Sequence, residues 1–175
     1  PWNQWFERQL KAFTSIVYQL AKKYNLHILL IPFHYSSDLW MCQEAQACFS
    51  ARPETDISVT VLEKELEPKE MMDLIGCMHI VIGMRLHSLI MAAANSIPSV
   101  GISYDPKVTN FASIAGFPCI PSVTELQNIE LVLSTIEKVL IDIDKNKEEL
   151  EKNLPKLKDL SMLNVNTAVE TLNKR

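Results

Sequence analysis

Between Gly76 and Asp105 the chain carries two short apolar runs separated by an apolar stretch of helical period. His79–Gly83 is rich in β-branched residues and reads as a buried parallel strand. Leu86, Leu89, Ile90 and Ala93 then recur at steps of three and four, one face of a helix. Pro98 closes that helix region, and Ser99–Ser103 is a second apolar strand. The unit is β–turn–α–β, whose crossover joins parallel strands and is right-handed in nearly all proteins. Such a unit buries both faces of its strands, so it needs helices above and below. All four glycines of the chain fall between Gly76 and Gly116, which places close backbone approach or tight turns around this unit.

The rest of the chain repeats the alternation. Apolar spacing predicts a helix over Asn3–Tyr24, a strand over Leu26–Phe33, and a helix Leu39–Ser50, with Asp38 either an acid of the polar loop at the strand's carboxyl end or no more than the N-cap of that helix. Ile57–Leu62 is a short strand, and Pro68 suits the first turn of a helix over Glu67–Gly76. Past the central unit, Pro106–Ala115 is helical with Gly116 as its stop, and Cys119–Ile120 is a strand fragment. A helix is expected from Asn128 to about Leu154, with Pro155 breaking or kinking it and Met162–Asn173 forming a last one. Five strands alternating with helices give the α/β class, a doubly wound Rossmann-like parallel sheet. One domain over residues 1–175 accounts for everything, with 145–175 as a charged helical tail. The chain opens on Pro1 and a helix, where such a domain normally opens on a strand. It therefore reads as cut from something longer.

Composition narrows the function. An apolar content of 47% with mixed charge belongs to a globular domain. A net charge of −4 and only four arginines argue against a nucleic-acid surface. Cys42, Cys48, Cys77 and Cys119 contain no C-x-x-C pair and no nearby histidine at ligand spacing, so they read as reduced, buried or half-buried thiols, with Cys77 a small core residue. Trp2, Trp5 and Trp40 read as packing groups, with a sugar-stacking role left open for Trp40. No segment has the roughly 20 apolar residues that span a bilayer. There is no G-x-G-x-x-G, no P-loop and no G-x-S-x-G elbow.

Chemistry is expected at the carboxyl ends of the strands, where ligands of open α/β sheets bind. Arg85 falls between a strand and a helix start, where backbone N–H groups favour anions, and its guanidinium adds a planar fork for a carboxylate or phosphate. His87 follows two residues later. Within a helix the two side chains would diverge by about 200°, so they converge only if Arg85 belongs to the turn and His87 to the first helical turn. Asp105 and Lys107 flank Pro106 at the next strand end; Lys107 suits a phosphate, and Asp105 suits either a ligand or the cap of the next helix. His34 ends a neighbouring strand. His27 and His79 read as structural.

Gly83-Met84-Arg85-Leu86-His87-Ser88-Leu89-Ile90, followed by Ile97-Pro98-Ser99-Val100-Gly101-Ile102-Ser103-Tyr104-Asp105-Pro106-Lys107-Val108, resembles the C-terminal half of the polysaccharide pyruvyl transferase family. The resemblance spans most of the chain and is sharp from about Gly83 to Val108. It implies the C-terminal domain of a two-domain enzyme similar to GT-B glycosyltransferases, with the missing N-terminal domain as its partner. It implies phosphoenolpyruvate as donor substrate, no other cofactor and no metal. The acceptor would be a glycan or lipid-linked saccharide of a cell-surface polysaccharide. In that reading His87 is the catalytic acid, and Arg85, Lys107, Asp105 and His34 bind substrate. The setting would be cytoplasmic, at most at the inner face of the membrane, and the chain alone would be inactive. The alternatives are the nucleotide-sugar half of a GT-B glycosyltransferase and a non-catalytic anion-binding fragment.

Overall fold

The computed structural model describes residues 3–52 and 57–173; Trp2 lies outside them. Among the described residues seven α-helices, a 3-10 turn and five strands alternate. The order is α1 (Asn3–Tyr24), β1 (His27–Leu30), α2 (Tyr35–Ser50), β2 (Ser58–Val61), α3 (Pro68–Gly76), β3 (Val81–Gly83), α4 (Leu86–Ala94), β4 (Ser99–Ile102), α5 (Pro106–Ala115) and β5 (Cys119–Ile120). The 3-10 turn Val123–Gln127, α6 (Ile129–Ile141) and α7 (Ile143–Asn173) complete it.

Among the described residues the strand pairings are all parallel and fall into two ladders. β1 pairs with β2 from His27 opposite Ser58 to Leu30 opposite Val61. β4 lies between β3 and β5, with Gly101 opposite both Gly83 and Cys119. The fold is therefore α/β with two small parallel sheets among many helices. β1 stops earlier than its apolar run because Pro32 has no N–H to give a ladder.

The β3–β5 sheet is covered on both faces, which follows from the period of two in a strand. Val100 and Ile102 of β4 point into a cluster with Ile16 and Leu20 of α1 and Val132 and Ile136 of α6. Gly101 points the other way, under Leu89 of α4 and Ala112 of α5, where Val108, Phe117 and Leu150 of α7 complete a second cluster. A third cluster joins the two ladders: Ile31, Phe33 and Leu62, just past β1 and β2, pack on Met71, Ile75, Val81 and Ala92.

Several expectations change. The helix beyond Asn128 is divided at Asp142, whose N–H bonds Lys138 O while its own carbonyl accepts from Asn146 N, so one residue ends α6 and starts α7. Aspartate favours such junctions over helix interiors. Pro155 does not break α7, which continues through it. Cys77 is exposed at the end of α3, not in the core, with its thiol on Asp73 O at 3.4 Å. Trp5 is 56% exposed and is not a packing group of the α1 core face, whereas Trp40 sets its ring 5.3 Å from that of Phe6. His27 and His79 are exposed, the latter outside β3.

Candidate functional site at the carboxyl ends of β1, β3 and β4

Two helices that follow strands, α2 and α4, begin without a side-chain cap on their first turns. By contrast α5, α6 and the 3-10 turn are capped by Asp105, Asn128 and Ser122. The residue before α4 is Arg85, with extended dihedrals (φ −77°, ψ 129°). A guanidinium has no acceptor atom, so it cannot cap the helix it precedes. It reaches across to the start of α2 instead. Arg85 Nε donates to Asp38 Oδ2 at 3.1 Å, and Arg85 Nη2 donates to Asp38 Oδ1. This bidentate pair links positions 47 apart in sequence and ties the ends of β1 and β3 together.

Asp38 is thus not the N-cap of α2. The helix begins four residues earlier than its sequence indicates, His34 is the cap residue, and Asp38 reaches back so that His34 N donates to its Oδ2 at 3.0 Å. Ser37 Oγ donates to Asp38 Oδ1 at 3.0 Å. Burial opposes ionisation of Asp38, but the Arg85 guanidinium, the His34 N–H and the Ser37 hydroxyl outweigh it and hold the carboxyl below its ordinary value. One turn further along α2, burial and the charge of Asp38 push the Cys42 thiol up to about 11.

Arg85 is 43% exposed along its side chain and Asp38 12%, so the carboxylate is the buried anchor and the guanidinium faces outward. Asp38 first, and to a lesser degree Tyr104, 48% exposed just past β4, favour the charged form of Arg85 against its partial burial. Lys107 Nζ stands 5.9 Å from the centre of the Tyr104 ring and 3.4 Å from Asp105 Oδ2. Asp105 is the N-cap of α5: its Oδ1 accepts from Lys107 N at 2.9 Å, which holds its carboxyl low. Ser103 Oγ donates to Asp105 O at 3.1 Å and accepts from Thr109 Oγ1 at 2.7 Å, fixing the turn that carries Tyr104.

His87 is the second residue of α4 and is exposed. Arg85 lies in the turn and His87 in the first helical turn, the one arrangement that allows the two side chains to converge. His34 is exposed at the neighbouring helix start, with Nδ1 2.8 Å from Ser37 Oγ and 3.3 Å from Ser36 Oγ. The edge is open surface. Depressions of about 620 Å³ between α1 and α6 and about 300 Å³ between α6 and α7 include none of these residues.

The structure therefore brings Arg85, Lys107 and Asp105 together through Tyr104, and His34 to Arg85 through Asp38. Sequence reasoning missed Asp38 and Tyr104 as partners of Arg85. The signal was present in their positions, an acid shortly after β1 and a tyrosine directly after β4, both at the edge where Arg85 follows β3. Chemically the edge offers two cations, each paired with a carboxylate, two helix starts without a side-chain cap and two exposed imidazoles, groups able to meet a small anion and to move a proton.

No helix among the described residues is long and apolar enough to cross a membrane. No curated protein and no solved structure matches the chain. A model of one family does, described as polysaccharide pyruvyl transferase, over residues 2–106. The match covers more than half of the chain, includes His34, Asp38, Arg85, His87 and Asp105, and ends one residue before Lys107.

Proposed function

Because this chain belongs to the polysaccharide pyruvyl transferase family, we propose that it forms the donor-binding half of an enzyme that moves a pyruvyl group from phosphoenolpyruvate to a sugar as a ketal. The two ladders are then parts of one doubly wound sheet, the second domain of a GT-B-like pair, with a saccharide acceptor lying between this edge and the other domain.

The observation that carries this reading is the posture of Arg85. Of its five N–H donors, two face Asp38, and the carboxylate holds the plane of the fork while the outer donors stay at the exposed edge. Phosphoenolpyruvate has a carboxylate and a phosphate on one carbon, and a planar, always-charged fork grips such a group better than a point charge does. The first N–H groups of α4 and the ammonium of Lys107 complete the anion site. His87 adds a proton to the methylene carbon of the donor, which makes C2 electrophilic, and a sugar hydroxyl adds there. Asp105 acts through the α5 cap, holding Tyr104 and Lys107 in place.

The test is to supply phosphoenolpyruvate labelled with ¹³C at C2 and a surface-glycan saccharide, and to follow the product by NMR. A ketal carbon bonded to two sugar oxygens is expected, with one phosphate released per ketal. His87→Gln lowers turnover about 10²-fold or more with little change in donor KM; the converse pattern makes His87 a binding residue. Glycosyl transfer from a nucleotide sugar, with no ketal, would replace this reading with that of a glycosyltransferase.

A further inference from the structure

The reading above supplies an acid but no base for the acceptor hydroxyl. The side chains that fix Arg85 also fix an imidazole, and the direction of their hydrogen bonds can be worked out. Ser37 Oγ has one proton and three neighbours that can take it: Asp38 Oδ1 at 3.0 Å, His34 O at 3.2 Å and His34 Nδ1 at 2.8 Å. An ionised carboxylate is an acceptor only and the strongest of the three, and Arg85 keeps Asp38 ionised. The Ser37 proton therefore goes to Asp38. Ser37 Oγ is left to accept, and the donor facing it is His34 Nδ1–H, with Ser36 Oγ at 3.3 Å on the same nitrogen. An imidazole protonated at Nδ1 carries its lone pair on Nε2. That nitrogen lies across the ring from the tether, and the residue is exposed at the start of α2.

We propose that His34 is the general base of this site, with Nε2 taking the proton of an acceptor hydroxyl, and that Ser37 is the positioning residue that sets its tautomer. The proposal rests on the pyruvyl transfer reading and extends it to the acceptor side. Asp38 serves both substrates: one oxygen pair holds the donor-binding guanidinium, and through Ser37 it orients the acceptor-side imidazole. As the hydroxyl oxygen bonds to C2, its proton passes to His34 Nε2. His87 protonates C3, which becomes the methyl carbon. The C2–O bond to phosphate breaks and the second hydroxyl adds in its place. Over one cycle two hydroxyl protons are lost, one is gained by C3 and one by the released phosphate, so no further reactant is required.

Two measurements test it. In the chain labelled with ¹⁵N-histidine, the His34 ring is expected to show a protonated Nδ1 and an unprotonated Nε2, and Ser37→Ala to abolish that preference; a protonated Nε2 in the unaltered chain would overturn the assignment. In the active enzyme, His34→Ala is expected to lose about 10²–10⁴-fold in turnover, to keep the KM for phosphoenolpyruvate, and to regain turnover with added imidazole. Turnover within about twofold of the unaltered enzyme, or a loss confined to the donor KM, would overturn it. An unaltered enzyme that forms no ketal would overturn the underlying reading, and the base with it.

Discussion

At the scale of the residue, Arg85 is defined by its neighbour. Asp38 occupies one edge of the guanidinium, so a side chain with a single cationic centre cannot serve Asp38 and a donor anion together. Arg85→Lys is expected to raise the KM for phosphoenolpyruvate about tenfold or more, the worth of one hydrogen bond between charged groups; unchanged donor kinetics would remove Arg85 from the donor site. The pair also predicts a pH dependence. The Asp38 carboxyl lies below its ordinary value in the folded chain, so its contribution to stability is complete above the unfolded carboxylate pKa of about 4 and is lost as pH falls through the folded value. Arg85 stays charged throughout. Asp38→Asn should cost about 1–2 kcal/mol at pH 7, discounted from a buried pair because the Arg85 side chain is 43% exposed. The difference in stability between the two proteins should shrink below pH 4, as read by urea unfolding. A constant difference from pH 7 to pH 2 would show that the charge is not what matters.

At the scale of the element, α5 and β5 are found where their sequence places them, because Pro106 and Gly116 bound α5 by backbone chemistry alone. Gly116 takes φ 82°, which a side chain disfavours, and ends the helix. The start of α2 was less legible. Ser36, Ser37 and Asp38 are all cap residues by preference, and the choice fell to a contact with Arg85 that no local pattern contains. For the same reason the Asp38–Arg85 pair was not visible in the sequence, whereas the placement of Arg85 after β3 and of Asp105 and Lys107 after β4 was. The division of the sheet into two ladders also escaped, because pairing between strands distant in sequence depends on packing in the third cluster. Gly83 joins element to site. A Cβ there would collide with Ser88 Oγ and stand 2.9 Å from Leu89 Cδ2, and Ser88 Oγ donates to Arg85 O at 2.6 Å. Gly83→Ala should therefore lower stability by about 1–3 kcal/mol and also weaken donor binding; a fully stable variant would show that α4 does not need this close approach to β3.

At the scale of the whole molecule, the candidate groups lie on one open edge, with Arg85, Tyr104, Lys107, His34 and His87 all in contact with solvent. Water screens charge there towards its weak aqueous strength. Holding a saccharide against the donor contributes on the order of several kcal/mol to a barrier, and an open edge supplies little of it. On the proposed reading the other domain supplies a second wall, since in open α/β proteins ligands sit in crevices at this edge. The most direct measurement is phosphate release from phosphoenolpyruvate in the presence of a saccharide acceptor, by this chain alone and by the chain joined to a second domain. Weak binding of phosphoenolpyruvate and no release are expected from the chain alone, with release and ketal formation when both domains are present. Full activity from residues 1–175 by themselves, or no phosphate release with both domains in place, would contradict that reading.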